Sequence, residues 1–232
     1  MLIWNQLWST WKGSDQDMKN MLYKEFNLAM HPTSIMFLLL SAMLLIPNYL
    51  YYVTFFYTAL AIFFTCLSGR ENNDIFYSMT LPVRKRDIVK SRFLYVVILE
   101  LVQILTAVPF ALIRRTYTLP GNIAGIDANV AFFGFSFMML GIFNLVFFTR
   151  YYRNTDKVGT AFAVGSTAIA VFMLAAESGV HIVPFMKNVL DTRDPDFILY
   201  KVAVLIGGII LYVLMTFFSY MKSAKSFEKL DL

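Results

Sequence analysis

The sequence predicts an all-α integral membrane protein with six transmembrane helices, and three observations carry that prediction. First, 58% of the 232 residues are hydrophobic and only 15% are charged, with a mean hydropathy of +0.61. Soluble domains are nearer a quarter charged, so this chain has too little polar surface to cover a globule in water. Second, the apolar residues fall into five long runs, at 33–67, 93–113, 130–149, 158–176 and 202–220. Each is near or beyond the roughly 20 residues that carry a helix across about 30 Å of hydrocarbon. Third, nearly all the charges lie between those runs.

From the N-terminus, residues 1–31 read as helices lying on the membrane rather than crossing it. Ile3, Trp4, Leu7, Trp8 and Trp11 recur at helical spacing, and tryptophan favours the headgroup zone. Ser14-Asp15-Gln16-Asp17 has the form of a capping box. The helix it starts places Met18, Met21, Leu22, Phe26 and Ala29 on one stripe, an amphipathic elbow feeding the first span. The run at 33–67 is too long for one crossing. Pro47-Asn48 near its middle is a turn signal, which predicts a tight hairpin of two helices. The other four runs supply one span each, so the six-helix domain covers 32–221 and a tail follows at 222–232. Ala161 with Gly165, and Gly207-Gly208, are small residues placed for close helix contacts.

The basic residues orient this bundle. Fifteen of the 20 fall before span 1, between spans 2 and 3, between spans 4 and 5, or after span 6, and five fall on the other side. Because Lys and Arg concentrate in cytoplasmic loops, both termini are expected in the cytoplasm. The net charge of +5 is thereby a matter of orientation and gives no reason to expect nucleic acid.

Catalytic chemistry has little foothold. Cys66 is the sole cysteine, so no internal disulfide is expected, and His31 and His181 fall on opposite sides, so no metal site is expected. There is no GxSxG, no HExxH and no glycine-rich loop ending in Gly-Lys-Ser/Thr. The chain is expected to be no enzyme by itself and to hold no cofactor. Glu100, inside the third span, is costly in hydrocarbon. Gln103 on nearly the same face and Asn144 in the fourth span are its candidate partners, either as a polar lining of a transport path or as a packing pair. Glu177, at the end of the fifth span, reads as interfacial.

The segment 69–92 is the most informative. Glu71 and Asp74 suit a helix N-terminus, Ile75, Phe76 and Met79 form an apolar edge, and Pro82 stops the helix before the basic stretch that begins at Arg84. A short cytoplasmic helix with exposed apolar side chains is costly unless it docks on something.

Leu81-Pro82-Val83, the basic residues and Asp87-Ile88-Val89, together with the elbow stretch Leu22-Tyr23-Lys24-Glu25-Phe26 and His31-Pro32, resemble the permease subunits of bacterial ABC-2 type exporters. The likeness extends to the membrane subunits of the phenol-soluble-modulin exporter. The resemblance implies a multi-pass protein of the bacterial cell membrane, with a coupling helix at 71–79. Glu71, Asn72, Asp74, Ile75, Phe76, Met79, Leu81, Pro82 and Arg84 would dock on a separate ABC ATPase, which would hold the ATP and Mg. It also implies a second copy of this permease or a related one, and amphipathic peptide or lipophilic cargo. An outer re-entrant loop would fall within 177–200, with short helices at 178–189 around His181, Pro184 and Phe185. The 150–157 loop would be a second, minor ATPase contact. Two other readings stay open: a non-transporting membrane scaffold or immunity or sensor protein, and the substrate-capturing subunit of a vitamin importer.

Overall fold

The computed structural model describes residues 18–117 and 122–230, and every regular element among them is helical. The tryptophan-bearing stretch and the capping box at 14–17 lie outside the described residues.

Helix α1 (Met18–Ala29) meets α2 (Thr33–Leu45) at an 85° bend. The last turn of α1 widens over Glu25–Ala29, and Met30 is extended. Pro32, which has no N–H to leave unpaired, then precedes the first residue of α2, where Thr33 N donates to His31 Nδ1 at 3.3 Å. Helix α2 tightens to 3-10 geometry over Leu40–Leu45 and stops before Pro47. Asn48 is left-handed, with φ of 54°, and α3 (Val53–Glu71) runs back. The hairpin break expected at Pro47-Asn48 is therefore present, but its first arm is short. A helix the length of α2 rises only about 20 Å. Among the described residues, five helices are long and apolar enough to cross a membrane, and the α1–α2 pair adds a sixth crossing only when its halves are counted together.

After the left-handed Asn73 comes α4 (Asp74–Thr80), so Glu71 closes α3 and does not open the short helix, a correction to the expected start at 71. The basic stretch is not a separate segment. It is the first turns of α5 (Lys85–Thr116), which absorbs Pro109 within its length; membrane helices tolerate such a proline better than soluble ones. Helix α6 (Val130–Tyr151) starts on Asn129, whose side chain accepts from Phe132 N. Helix α7 (Val158–Ile182) continues through 178–182, where separate short helices were expected, and a single wide turn at Met186–Leu190 follows Pro184. Helix α8 (Ile198–Glu228) extends into most of the C-terminal tail.

The centre of the bundle is α6. Phe143, Phe147 and Tyr151 stack along it at centroid spacings of 5.0 and 5.7 Å, and all three are buried. Its contact with α8 is nearly backbone on backbone, since a Cβ on Gly208 would lie 2.1 Å from Gly134 O, whereas one on Gly207 would meet nothing within 4 Å. Gly165 of α7 likewise packs against Phe143, so these small residues serve contacts inside one chain. We expect Gly208→Ala to cost about 1–3 kcal/mol by overpacking and Gly207→Ala to melt like the wild type; equal melting of the two variants in detergent would contradict this packing.

One end of the bundle gathers the α1–α2 bend, the α3–α4 turn, the 150–157 loop and the end of α8. Arg70 Nη1 donates to Asp156 O at 3.1 Å, Lys85 Nζ to Leu230 O at 2.6 Å, and Arg86 pairs with Glu228. This is the end to which the charge pattern assigns 15 of the 20 basic residues.

Candidate coupling site and polar crossing

Helix α4 is short, and the side chains of its neighbours hold it. Asp74 Oδ1 accepts from Lys24 Nζ at 2.7 Å, and Oδ2 accepts from Arg92 Nη2 at 2.5 Å. Lys24 Nζ also donates to Ser78 Oγ at 2.7 Å. Arg92 Nε lies 2.7 Å from Glu25 Oε2, and Lys24 lies 3.4 Å from Glu25. Two cations and two carboxylates, nearly all out of solvent, thus join α1, α4 and α5. A buried charge is tolerable only when paired in this way.

This reassigns part of the expected docking edge. Asp74 faces inward as an anchor, and Ile75, Met79 and Leu81 pack partly onto the core. What α4 exposes is Phe76, at 61% of its surface, and Tyr77, at 56%. Tyr77 is absent from the edge expected from sequence, which takes in only Ile75, Phe76 and Met79. Glu71, Asn72, Pro82 and Arg84 are exposed around this helix. Beside Phe76 a cavity of about 420 Å³ is bounded by Arg70, Asn73, Ile75, Tyr151, Thr155 and Asp156, so the 150–157 loop stands next to α4.

The three polar residues expected along a path are fully buried within the chain. Glu100 Oε2 accepts from Tyr212 OH at 2.6 Å and from Asn144 Nδ2 at 3.0 Å. Asn144 Nδ2 is also 3.2 Å from Thr216 Oγ1, and Ser219 Oγ donates to Asn144 O at 2.6 Å. The pairing of Glu100 with Asn144 is as expected. Gln103 instead turns to α2, where its Nε2 donates to Ser41 Oγ at 2.7 Å. The part played by Tyr212 has no signal in the sequence; a tyrosine in an apolar run looks like any other aromatic.

At the opposite end His181, Pro184 and Phe185 are exposed, and Phe185 meets Tyr200 edge-on at 6.0 Å. The structural anchor there is Glu177, buried rather than interfacial. Its Oε2 accepts from Ile126 N at 3.0 Å. Gly125 makes room for it, since a Cβ would fall 1.3 Å from that oxygen. Asp191 Oδ1 accepts from Asp127 N at 2.8 Å, and burial pushes the Asp191 carboxyl up to about 6 against the pull of that hydrogen bond. Arg114 Nε donates to Asp127 Oδ1 at 2.7 Å. Lys201 Nζ lies 3.0 Å from Asp194. This lattice straps the α5–α6 segment over the ends of α7 and α8.

Such a chain is a multi-pass helical membrane protein whose polar groups are spent on holding its helices together. A family model described as "ABC-2 family transporter protein" matches residues 20–228, and the chain belongs to that family. The matched domain is a membrane component of an ABC transporter and not itself the ATPase; the family normally works with an ABC ATPase. No curated protein and no solved structure matches the chain.

Proposed function

We propose that this chain is the permease subunit of an exporter driven by a separate ATPase, and that the ATPase docks on α4 at Phe76 and Tyr77. The observation that carries this reading is a pair of exposed aromatics on a helix fixed from behind by four largely buried charges. Large apolar side chains left in water at the end of a membrane bundle mark a partner's seat, and the adjoining cavity offers that partner a socket. The positive-inside rule places this end, and both termini, in the cytoplasm, where the ATPase would bind ATP and Mg. The working unit is two permeases, identical or related, with two ATPases, in a bacterial cell membrane. Nucleotide-driven approach of the ATPases pulls α4, and through the ion network α1 and α5, toward a second packing.

In this reading Glu100, Gln103 and Asn144 fix the helix crossings on which that switch turns. The cargo is amphipathic peptide or another lipophilic molecule, in keeping with the likeness to the phenol-soluble-modulin exporter. The test is co-purification in mild detergent. Phe76→Asp is expected to leave the chain folded in the membrane and to lower ATPase retention about thirtyfold, as loss of an interface hot spot does. Normal retention, or an ATPase that never co-purifies with the wild type, counts against the docking site; a scaffold protein would behave in the second way.

A further inference from the structure

Helices α5 and α8 run antiparallel and touch at two polar points. One is Tyr212 OH on Glu100, and the other is the Arg86–Glu228 ion pair at the basic end. Between these points Phe93 meets Tyr220 edge-on at 5.7 Å, and these two rings take part in lining a slot of about 390 Å³ open to the surface. Phe93, Leu94 and Val97 line it from α5, and Tyr212, Val213, Thr216 and Phe217 from α8. Its one charged lining residue is Lys90, which is exposed and makes no hydrogen bond or ion pair among the described residues.

The dimensions of the slot match one leaflet. Glu100 lies at the middle of α5, and Lys90 is ten residues nearer the basic end, a rise of about 15 Å, which is half the hydrocarbon thickness. With the crossing at the bilayer midplane, the slot spans the acyl region of one leaflet and the Lys90 ammonium stands at headgroup depth. An open apolar groove with a single cation among its lining residues complements a lipid whose chain is apolar and whose headgroup is negative.

We infer that the α5–α8 slot is a binding site for an anionic glycerophospholipid of the leaflet at the basic end, with one acyl chain between the helices and the phosphate on Lys90. The site stands apart from the transport reading, because it concerns resident lipid and uses none of the α4 surface. Tyr212 and Thr216 line the slot, so a chain in it packs against groups that hold the Glu100 crossing.

The full chain is reconstituted in nanodiscs of mixed phosphatidylglycerol and phosphatidylcholine, then stripped with mild detergent. Native mass spectrometry counts the lipid that stays. The wild type should retain phosphatidylglycerol about fivefold over phosphatidylcholine, the preference one lysine near a membrane surface supplies. Lys90→Ala should bring that ratio close to one. Val97→Trp, which fills the slot, should release lipid of both kinds; if it fails to fold, Val213→Trp fills the slot from the other helix. Equal retention of the two lipids by the wild type, or a preference that survives Lys90→Ala, overturns the assignment. So does a second copy seated there, seen as Phe217→Cys cross-linking between chains, for which the buried Cys66 gives little background.

Discussion

Replacing Arg92 by alanine is expected to lower stability by about 3–5 kcal/mol, the cost of breaking a buried ion pair from one side. Arg92 is 4% exposed and bridges Glu25 at 2.7 Å and Asp74 at 2.5 Å. Without it, two buried carboxylates share only Lys24, which sits 2.7 Å from Asp74 and 3.4 Å from Glu25. The lost charge outweighs the small gain of an apolar methyl, because the Glu25 carboxylate is fully buried and cannot reach water without moving α1 or α4. Helix α4 should therefore detach, and added protease should cut between residues 69 and 84. Arg92→Lys keeps the charge but has no planar fork to meet both acids, so an intermediate loss is expected. Phe76→Asp should leave melting unchanged while losing the ATPase. That contrast separates the anchor from the docking surface. If Arg92→Ala melted like the wild type and kept α4 protected, the four charges would not be what fixes the helix.

The same cluster shows where sequence reading reaches its limit. The long apolar runs, the break at Pro47-Asn48 and the short helix after the second span follow from local composition, and each appears in the structure. Asp74 is legible as a residue near a helix start, and only the likeness to ABC-2 permeases makes it a docking residue. Its true partners, Lys24 and Arg92, lie 50 and 18 residues away, and no local pattern reports a contact at that range. Glu100 and Asn144 can be paired from sequence because two polar residues in neighbouring spans have few alternatives in hydrocarbon. Gln103 has the same freedom, yet Ser41, in the short α2, takes it. Glu177 looks interfacial because its role depends on a glycine: the missing Cβ of Gly125 is what admits its carboxylate. The shortness of α2 is hidden for a related reason. Hydropathy counts apolar residues but not the 85° bend that turns α1 out of line with it.

Glu100→Ala is expected to cost about 3 kcal/mol, and Glu100→Gln about 1 kcal/mol or less. Alanine leaves the Tyr212 hydroxyl and the Asn144 amide without their acceptor in a site closed to solvent, and it also opens a cavity. Glutamine keeps a carbonyl for both donors. Its amide replaces Glu100 Oε1, an atom with no hydrogen-bond partner, close to the Asn144 unit whose Oδ1 also lacks one. The result bears on which property of Glu100 matters. If the acceptor holds α5 to α6 and α8, glutamine is nearly silent in melting experiments, and a double-mutant cycle of Glu100→Gln with Tyr212→Phe gives a coupling of about 0.5–2 kcal/mol. If glutamine is as damaging as alanine, the crossing is held by the charge of Glu100 and not by its capacity to accept two hydrogen bonds. A stable glutamine variant that nevertheless slows transport would place the role of Glu100 in the switch between packings, since the resting contacts would then be intact and only the exchange between them altered.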